Sequence, residues 1–275
     1  MSKKIKVAIC QRGAAAATPQ ENLRESIALI ERAAAENPGV DIVLLPEYNN
    51  GMAITPEEAQ AWAETIPGPY TDAMCALAKK LHVNLLPGSI TEQGDDGRTC
   101  NTAVFIDREG NIVGKYRKIH LFDALGFKES DHVQAGDSPC VLDTDIGRIG
   151  IQLCYDCRFP ELARTEVLDG AEILFIMACF PSGNPLPPRT DHWDTLINAM
   201  ALQNLTWVCA ANQYGAVRTE HPFGRSRIVD PWGTPVAVAG SHEDIICAAI
   251  DLDYQKTVRA NVGGLSNRRP DTYKL

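Results

Sequence analysis

The sequence lacks any apolar run long enough to cross a membrane, which takes roughly 20 consecutive apolar residues. Its first residues, MSKKIKVAICQRG, hold only a short apolar run before Gln11 and Arg12 interrupt it. A run of this length is too short for the core of a signal peptide and is typical of a first β-strand. We therefore expect neither a membrane span nor a cleaved leader.

Positive charge is also scarce. The chain has 26 lysines and arginines against 35 aspartates and glutamates, a formal net charge of -9 at pH 7. Proteins that bind nucleic acid cluster Lys and Arg against the phosphates, so nucleic acid is not expected as a ligand. At 45% hydrophobic and 22% charged residues, the composition is that of an ordinary globular protein with a large core.

The cysteines do not form the pattern of a disulfide framework. Their number is odd, they are widely scattered, and most lie inside apolar runs. Secreted domains stapled by disulfides show even numbers at regular spacings. We predict reduced thiols and a cytoplasmic protein. The nine positions are Cys10, Cys75, Cys100, Cys140, Cys154, Cys157, Cys179, Cys209 and Cys247.

Short β-rich runs alternate with helical stretches along the chain. Apolar residues at helical spacing and a Thr18 N-cap with Glu21 three residues later predict a first helix. The predicted helices are Thr18–Asn37, Thr71–Leu81, one from near Pro160, and Asp191–Asn204. The predicted strands are Lys6–Cys10, Asp41–Leu45, Asn84–Ile90, Thr102–Asp107, Ile112–Tyr116, Arg148–Leu153, Ile173–Ala178, Thr206–Asn212, Ser226–Asp230, Pro235–Ala239 and Ile245–Ile250.

No low-complexity linker divides the chain. The strands in both halves are apolar without clean alternation, as in sheets covered on both faces. We therefore expect one domain, residues 1–275, built from two sheets with outer helices. The segment Pro181–Thr190 is too rich in proline for regular structure, and it follows a strand end, where ligand-binding loops lie in α/β proteins.

Three reactive side chains come directly after predicted strands. The strand ending at residue 45 leads to Glu47, the strand ending at residue 116 leads to Lys118, and the strand ending at residue 153 leads to Cys154. Two packed sheets can bring such strand ends to one rim. A carboxylate, an ammonium and a thiol at one rim are the groups that acyl transfer requires.

The chemistry explains each residue type. A free thiol with a pKa of about 8.5 is mostly protonated at neutral pH, so Cys154 needs a base, and Glu47 can serve as that base. The ammonium of Lys118 would lower the thiol pKa and stabilise an oxyanion, with the backbone N–H of Tyr155 as a second donor. Taken singly, each residue has an ordinary alternative: a solvated acid, a basic strand end, or a small buried apolar side chain.

Cys154 and Cys157 also form a Cys-x-x-Cys pair. Such a pair can be a redox dithiol, but Pro160 places the next helix after both cysteines, unlike a thioredoxin-type motif. It can also be half of a zinc site, but no second Cys-x-x-Cys or closely spaced His pair completes four ligands. The remaining interpretation is one nucleophile, Cys154, with Cys157 as a neighbour that only packs.

Seven stretches spread along the chain form a recognisable set: LLPEY (44–48), YRKIHLF (116–122), FKESDHVQAGD (127–137), GIQLCYDCRFPEL (150–162), HWDTLINAMALQNLTWVCAANQYG (192–215), GRSRIVDPWG (224–233) and NRRPDTY (267–273). Taken together, these stretches resemble the nitrilase superfamily of carbon–nitrogen hydrolases over nearly the whole chain. The resemblance implies an αββα sandwich that dimerises and a Glu-Lys-Cys triad at Glu47, Lys118 and Cys154. It adds Glu129 as a second acid and implies no metal or organic cofactor.

Within that superfamily, the Cys-Tyr-Asp-x-Arg-Phe-Pro-Glu pattern resembles amidase branches that include ω-amidases and Nit proteins. Relatives commonly carry Leu where this chain has Cys157, and true nitrilases carry Trp-Glu after the nucleophile. The implied partners are a small-molecule amide and a second copy of the chain, in a homodimer or larger homo-oligomer, with the 267–273 segment across the interface. Neither nucleic acid nor a membrane is expected.

The substrate stays open between a short aliphatic amide, an ω-amide, an N-carbamoyl compound and a nitrile. Tyr155 and Phe180 are predicted to bind substrate as an apolar wall, with a core role for Phe180 as the alternative. Three arginines are candidates for binding a substrate carboxylate: Arg158, Arg189 and Arg227. For Arg158 we favour instead an ion pair with Glu161 or Asp156.

Overall fold

The computed structural model describes residues 4–14, 18–181, 189–218 and 220–273. In these ranges the chain forms six helices: α1 (Pro19–Glu36), α2 (Pro56–Trp62), α3 (Pro69–Leu81), α4 (Pro160–Leu168), α5 (Thr190–Asn204) and α6 (Leu252–Val262). The strands are β1 (Lys4–Gln11), β2 (Ile42–Leu44), β3 (Asn84–Leu86), β4 (Ser89–Gln93), β5 (Thr99–Ile106), β6 (Ile112–Arg117), β7 (Val141–Thr144), β8 (Gly147–Leu153), β9 (Ile173–Ala178), β10 (Trp207–Asn212), β11 (Arg227–Val229), β12 (Pro235–Val238) and β13 (Asp244–Asp251).

The strands form two sheets. The first has the order β13-β1-β2-β3-β5-β4, with β6 paired to β5, and the second has the order β12-β11-β10-β9-β8-β7. The central strands β1, β2 and β3 are parallel to one another, as are β8, β9 and β10. Parallel neighbours end at the same edge, so residues that follow β2 and β8 lie at the rims of their sheets.

The two sheets pack face to face over the largest apolar cluster, in which Ile9 and Leu44 of the first sheet meet Ile151 and Phe175 of the second. Helices α1 and α3 cover the outer face of the first sheet. Helices α4 and α5 cover the outer face of the second. The layers therefore run helix, sheet, sheet, helix, which confirms the αββα sandwich.

The sequence signals for helix ends agree with this structure. Helix α1 begins after Thr18, whose hydroxyl accepts a hydrogen bond from the Glu21 N–H at 3.3 Å. The Glu21 carboxylate accepts from that same hydroxyl at 3.0 Å, rather than from the backbone N–H that a capping box predicts. Helix α4 begins at Pro160, as predicted, directly after a short 3₁₀ turn at Cys154–Arg158.

One predicted strand is wrong. The segment Asn84–Ile90 is interrupted by Pro87 and Gly88 and forms two separate strands, β3 and β4. Proline cannot donate to a sheet ladder, and Gly88 has a φ of 81°, a left-handed conformation that turns the chain. Helices α2 and α6 and strand β7 were not predicted.

The predicted loop at Pro181–Thr190 lies mostly outside the described residues, which omit 182–188. Its last residue, Thr190, already belongs to α5. Among the described residues, no helix combines the length and the apolar character that a membrane crossing demands.

Candidate active site

A cavity of about 420 Å³ lies at the rim where strands of the two sheets end. All six predicted site residues line it, although they come from distant parts of the chain. They are Glu47, Lys118, Glu129, Cys154, Tyr155 and Phe180. The sheet packing therefore places the predicted residues around one space large enough for a small molecule.

Glu47 follows β2 and is almost fully buried, with 1% of its surface exposed. Its Oε1 accepts hydrogen bonds from Asn101 Nδ2 at 2.8 Å and Lys118 Nζ at 3.1 Å. Its Oε2 accepts from the backbone N–H of Cys179 at 2.8 Å. Three donors therefore hold the Glu47 side chain in one orientation.

Lys118 follows β6 and is 2% exposed. Its Nζ donates to Glu47 and also to Glu129 Oε1 at 3.2 Å and Oε2 at 3.0 Å. Burial by itself lowers the pKa of Lys118, but attraction to Glu129 and Glu47 raises the pKa well above its usual value. The side chain is therefore a fixed ammonium between two carboxylates.

Glu129 lies in a short 3₁₀ turn and completes this cluster. Besides Lys118, it accepts hydrogen bonds from the hydroxyl of Tyr48 and from the backbone N–H of Phe122, both at 2.6 Å. Burial raises the pKa of Glu129, but Lys118 and these hydrogen bonds outweigh it, and the net pKa is lowered. Glu129 is thus held in its ionised form beside Lys118.

Cys154 stands where β8 turns into the 3₁₀ turn, and it is 8% exposed. Its φ of 46° is left-handed, which costs a residue with a side chain about 1–2 kcal/mol. Strain of this kind concentrates at functional sites, where the surroundings enforce it.

The thiol of Cys154 is held in its protonated form. Burial and the nearby charge of Glu47 raise its pKa well above the usual value. Lys118 lowers the pKa, as the sequence predicted, but it is outweighed. A thiol in this state attacks a carbonyl carbon only if a base removes its proton.

Tyr155 and Phe180 form an aromatic wall. The Tyr155 ring meets Phe122 and Phe159 edge-on, with centroid distances of 5.0 and 5.3 Å. Phe180 is 1% exposed and also packs on Trp193 and Phe223. Phe180 therefore belongs both to the cavity lining and to the core beneath it.

Cys157 packs in the apolar cluster between the second sheet and its helices, with Ala163 and Trp193. It does not line the cavity. In residues 4–14, 18–181, 189–218 and 220–273, no cluster of His, Cys, Asp and Glu could hold a metal ion. These observations favour the interpretation of Cys157 as a neighbour that only packs.

The three candidate arginines occupy different places. Arg189 lines the cavity and is 4% exposed, with its guanidinium 4.6 Å from the Phe180 ring centre and 5.4 Å from that of Phe122. Arg227 forms a buried ion pair with Asp194. Arg158 contacts His192 Nδ1 at 3.1 Å, so the predicted pairing of Arg158 with Glu161 or Asp156 is wrong.

The sequence does not single out three residues that support the site. Asn101 lies in β5 and orients Glu47, and Tyr48 orients Glu129. Asp156 is fully buried and accepts hydrogen bonds from the Tyr116 hydroxyl and from the backbone N–H of Leu153. The only sequence signal is position along the chain: Tyr48 follows Glu47 directly, and Asp156 stands two residues after Cys154. Asn101 has no such signal, because only the pairing of β5 with β6 brings it close to the site.

Comparison with known proteins agrees with this geometry. Residues 6–260 match the sequence profile of a family described as carbon-nitrogen hydrolase. The chain belongs to the carbon–nitrogen hydrolase family. Membership makes it an enzyme that hydrolyses non-peptide carbon–nitrogen bonds, and it confirms the resemblance on which the αββα fold was predicted.

Among the family's named members, the chain is similar to two ω-amidases. It is 36% identical over 264 residues to Omega-amidase NIT2 of Xenopus tropicalis, covering 93% of this chain and 92% of that protein. It is 32% identical over 285 residues to Omega-amidase NIT3 of Saccharomyces cerevisiae, covering 99% and 96%. The crystal structure of Saccharomyces cerevisiae Nit3, described as a member of branch 10 of the nitrilase superfamily, superimposes with a TM-score of 0.86 at 30% identity over 95% of both chains.

Proposed function

We propose that this carbon–nitrogen hydrolase is an amidase of the ω-amidase type, which converts a small carboxamide to a carboxylate and ammonia. The observation that carries the proposal is the buried Glu47–Lys118–Glu129 cluster, which lines the same cavity as Cys154. The similarity to named ω-amidases supports the amide as the substrate.

In the first half-reaction, the Cys154 sulfur attacks the amide carbon while Glu47 takes the thiol proton. The carbonyl π electrons move onto oxygen, and the tetrahedral intermediate then collapses as the C–N bond breaks. The protonated Glu47 gives its proton to the leaving nitrogen, so ammonia departs and a thioester remains on Cys154.

The developing oxyanion needs donors that are already in place. Lys118, held as an ammonium by two carboxylates, is the first, and the backbone N–H of Tyr155 is the second. Removal of one such donor commonly lowers kcat by about 100- to 1,000-fold. Glu129 keeps the Lys118 ammonium charged and in position.

In the second half-reaction, water enters the place that ammonia left. Glu47 removes a proton from the water, its oxygen attacks the thioester carbon, and the C–S bond breaks. The Cys154 sulfur recovers the proton from Glu47, which restores the starting state. One base therefore serves both halves, and the same Glu47 donors are needed twice.

The position of Arg189 supports a substrate that carries a carboxylate. Among the described residues its only hydrogen-bond acceptor is the carbonyl of Pro181, to which Nε donates at 3.1 Å. No carboxylate of the described residues lies within ion-pair distance of Arg189, and burial lowers its pKa more than attraction to Cys154 and Glu220 raises it. A buried cation that lines a cavity and has no ion-pair partner among the described residues is stabilised by an incoming anion. The monoamide of a dicarboxylic acid carries such an anion in its free carboxylate.

The role of Cys154 is tested with a panel of small amides, ω-amides, N-carbamoyl compounds and nitriles, assayed for ammonia. We expect Cys154→Ala to abolish release from the best substrate. Cys157→Leu, the matched control, should keep wild-type kcat because Cys157 only packs. Ammonia release by Cys154→Ala, or equal loss in both variants, would contradict the proposal, and the panel decides between amides and the two alternative substrate classes.

The role of Arg189 is tested with Arg189→Met, which keeps a long side chain between the two rings without its charge. Because a hydrogen bond to a charged group is worth roughly 10- to 100-fold, we expect kcat/KM for an ω-amide with a free carboxylate to fall by that factor. The value for a neutral amide of the same length should stay within about threefold. Arg158→Met is the control, and a selective loss in that variant instead would contradict the assignment.

We further propose that the chain is a single hydrolase domain over residues 1–275, that it forms a homodimer or larger homo-oligomer, and that it works in the cytoplasm. The family match over 6–260 supports one domain. The nine cysteines, all of them free, support a reducing compartment. Size-exclusion chromatography with light scattering tests the oligomer, and truncation before Asn267 tests the predicted interface role of the 267–273 segment.

A further inference from the structure

Asp156 is a fully buried carboxylate that the proposed reaction does not use. It lies in the 3₁₀ turn Cys154–Arg158, two residues after the nucleophile. A buried carboxylate is unfavourable unless donors surround it, so its partners indicate what it does.

On the nucleophile side, Asp156 closes the turn that carries Cys154. Its Oδ2 accepts a hydrogen bond from the backbone N–H of Leu153 at 2.8 Å. Its carbonyl oxygen accepts from the N–H of Phe159 at 2.9 Å. The first of these bonds spans Cys154, whose left-handed conformation needs such enforcement, and the second closes the end of the turn.

On the other side, the same carboxylate holds the segment that carries Lys118. Oδ2 accepts from the Tyr116 hydroxyl at 2.7 Å. Oδ1 accepts from the His120 backbone N–H at 3.1 Å and contacts His120 Nδ1 at 2.8 Å. Tyr116 stands two residues before Lys118 and His120 two residues after it, so the chain is held on both sides of Lys118.

We infer that Asp156 is a positioning residue that holds the Cys154 turn against the Lys118 segment, and thereby sets the nucleophile relative to its oxyanion donor. The inference rests on the proposed function, since it matters only if both residues act in the reaction. The carboxylate bonds to both segments directly: Oδ2 accepts from one donor of each segment, and Oδ1 accepts from the His120 backbone N–H and contacts His120 Nδ1.

The chemistry requires a carboxylate at this position. Three groups donate to the side chain, namely the Tyr116 hydroxyl and the backbone N–H groups of Leu153 and His120, and His120 Nδ1 lies 2.8 Å from Oδ1. An asparagine has the same shape but only one accepting oxygen, so its NH₂ group would face at least one backbone N–H donor. Asp156→Asn therefore loosens one of the two segments without leaving a cavity.

The test compares Asp156→Asn with Glu166→Gln, which removes a different fully buried carboxylate whose partner is Gln152. A misplacement of about 1 Å can cost about 100-fold in rate, so we expect kcat of Asp156→Asn to fall by about that factor, with KM within about threefold of wild type. Glu166→Gln should keep wild-type kcat. A loss of packing alone would lower the folded fraction without this separation of kcat from KM.

If Asp156→Asn does not fold, Tyr116→Phe tests the inference instead. This change removes the hydroxyl that donates to Asp156 and leaves the carboxylate in place. We expect kcat to fall about tenfold, the worth of one hydrogen bond to a charged group. Wild-type kcat in folded Asp156→Asn, or in Tyr116→Phe, overturns the inference. Ammonia release by Cys154→Ala would instead overturn the proposed function, so the two failures are distinguishable.

Discussion

Buried acids in this protein differ in whether a cation stands beside them. Glu47 and Glu129 share the ammonium of Lys118, and despite burial the pKa of Glu129 is lowered. Glu166, on α4, has no such partner among the described residues: its Oε2 accepts from Gln152 at 2.7 Å, and its Oε1 has no hydrogen-bond partner there. Burial raises the pKa of Glu166 well above the usual value, so this acid is kept neutral. Surroundings alone thus separate the two acids beside Lys118, which are proposed to be catalytic, from the neutral acid Glu166.

This difference predicts how stability depends on pH. The folded protein keeps the Glu166 proton as pH rises past 4.5, the ordinary value, whereas the unfolded chain releases it. The folded state then binds more protons, so this residue lowers the free energy of unfolding as pH rises toward the folded pKa. The effect approaches about 1.4 kcal/mol per pH unit within that window.

Glutamine cannot ionise in either state, so Glu166→Gln removes the effect. We expect the free energy of unfolding of this variant, relative to wild type, to increase by roughly 1 kcal/mol or more between pH 5.5 and 7.5. Urea unfolding at the two pH values measures it. A constant difference, or one that shrinks as pH rises, would show that Glu166 is ionised in the folded protein.

For single residues, the sequence could best predict those members of the site whose side chains are chemically reactive. Glu47, Lys118 and Cys154 were predictable because each reactive group follows an apolar strand and, with its neighbours, resembles a known family. Asn101 was not, because a neutral amide inside β5 has no distinguishing chemistry until folding brings it to Glu47. The raised pKa of Cys154 also depends on burial, which the sequence does not specify.

The turn between β3 and β4 positions Glu47, the proposed base. Gly88 has a φ of 81°, and a side-chain carbon there would lie 2.2 Å from the carbonyl oxygen of Pro46, the residue before Glu47. Only a residue without a Cβ allows this approach. The close packing of the two turns therefore fixes the backbone from which Glu47 projects.

Gly88→Ala should damage both stability and activity, and Gly97→Ala is its matched control. Gly97 has a similar φ of 86°, but a Cβ added there would meet no described atom within 4 Å. The control should lose about 1 kcal/mol from the left-handed conformation and keep wild-type kcat. Gly88→Ala should lose about 3 kcal/mol or more and at least tenfold in kcat. Thermal unfolding and kcat measure both, and equal behaviour of the two variants would contradict the account.

Elements with strong local signals were predicted well. Helix α1 has a threonine cap and a long amphipathic pattern, and β9 (Ile173–Ala178) is a continuous apolar run. Helix α2 was not predicted because none of its residues is buried, which leaves no apolar pattern. Strand β7 is short and half-exposed, and its pairing with β8 defines it more than its composition does.

The whole molecule explains why residues so far apart in sequence meet. Glu47 and Lys118 follow strands of the first sheet, whereas Cys154 and Cys179 follow strands of the second. The N–H of Cys179 donates to Glu47 across the two sheets, and Asp156 joins the nucleophile turn to the Lys118 segment. The site is therefore a product of the sheet-on-sheet packing.

The central claim is that the reaction passes through a thioester on Cys154. Hydroxylamine competes with water for such an intermediate and converts part of the product to a hydroxamate. The decisive measurement is the ratio of hydroxamate to acid from an amide and from an ester of the same acid, at one hydroxylamine concentration. After the enzyme-free reaction of each substrate is subtracted, a shared acyl-enzyme predicts the same ratio for both substrates and no additional hydroxamate from Cys154→Ala. A ratio that depends on the leaving group, or hydroxamate formation without Cys154, would contradict it.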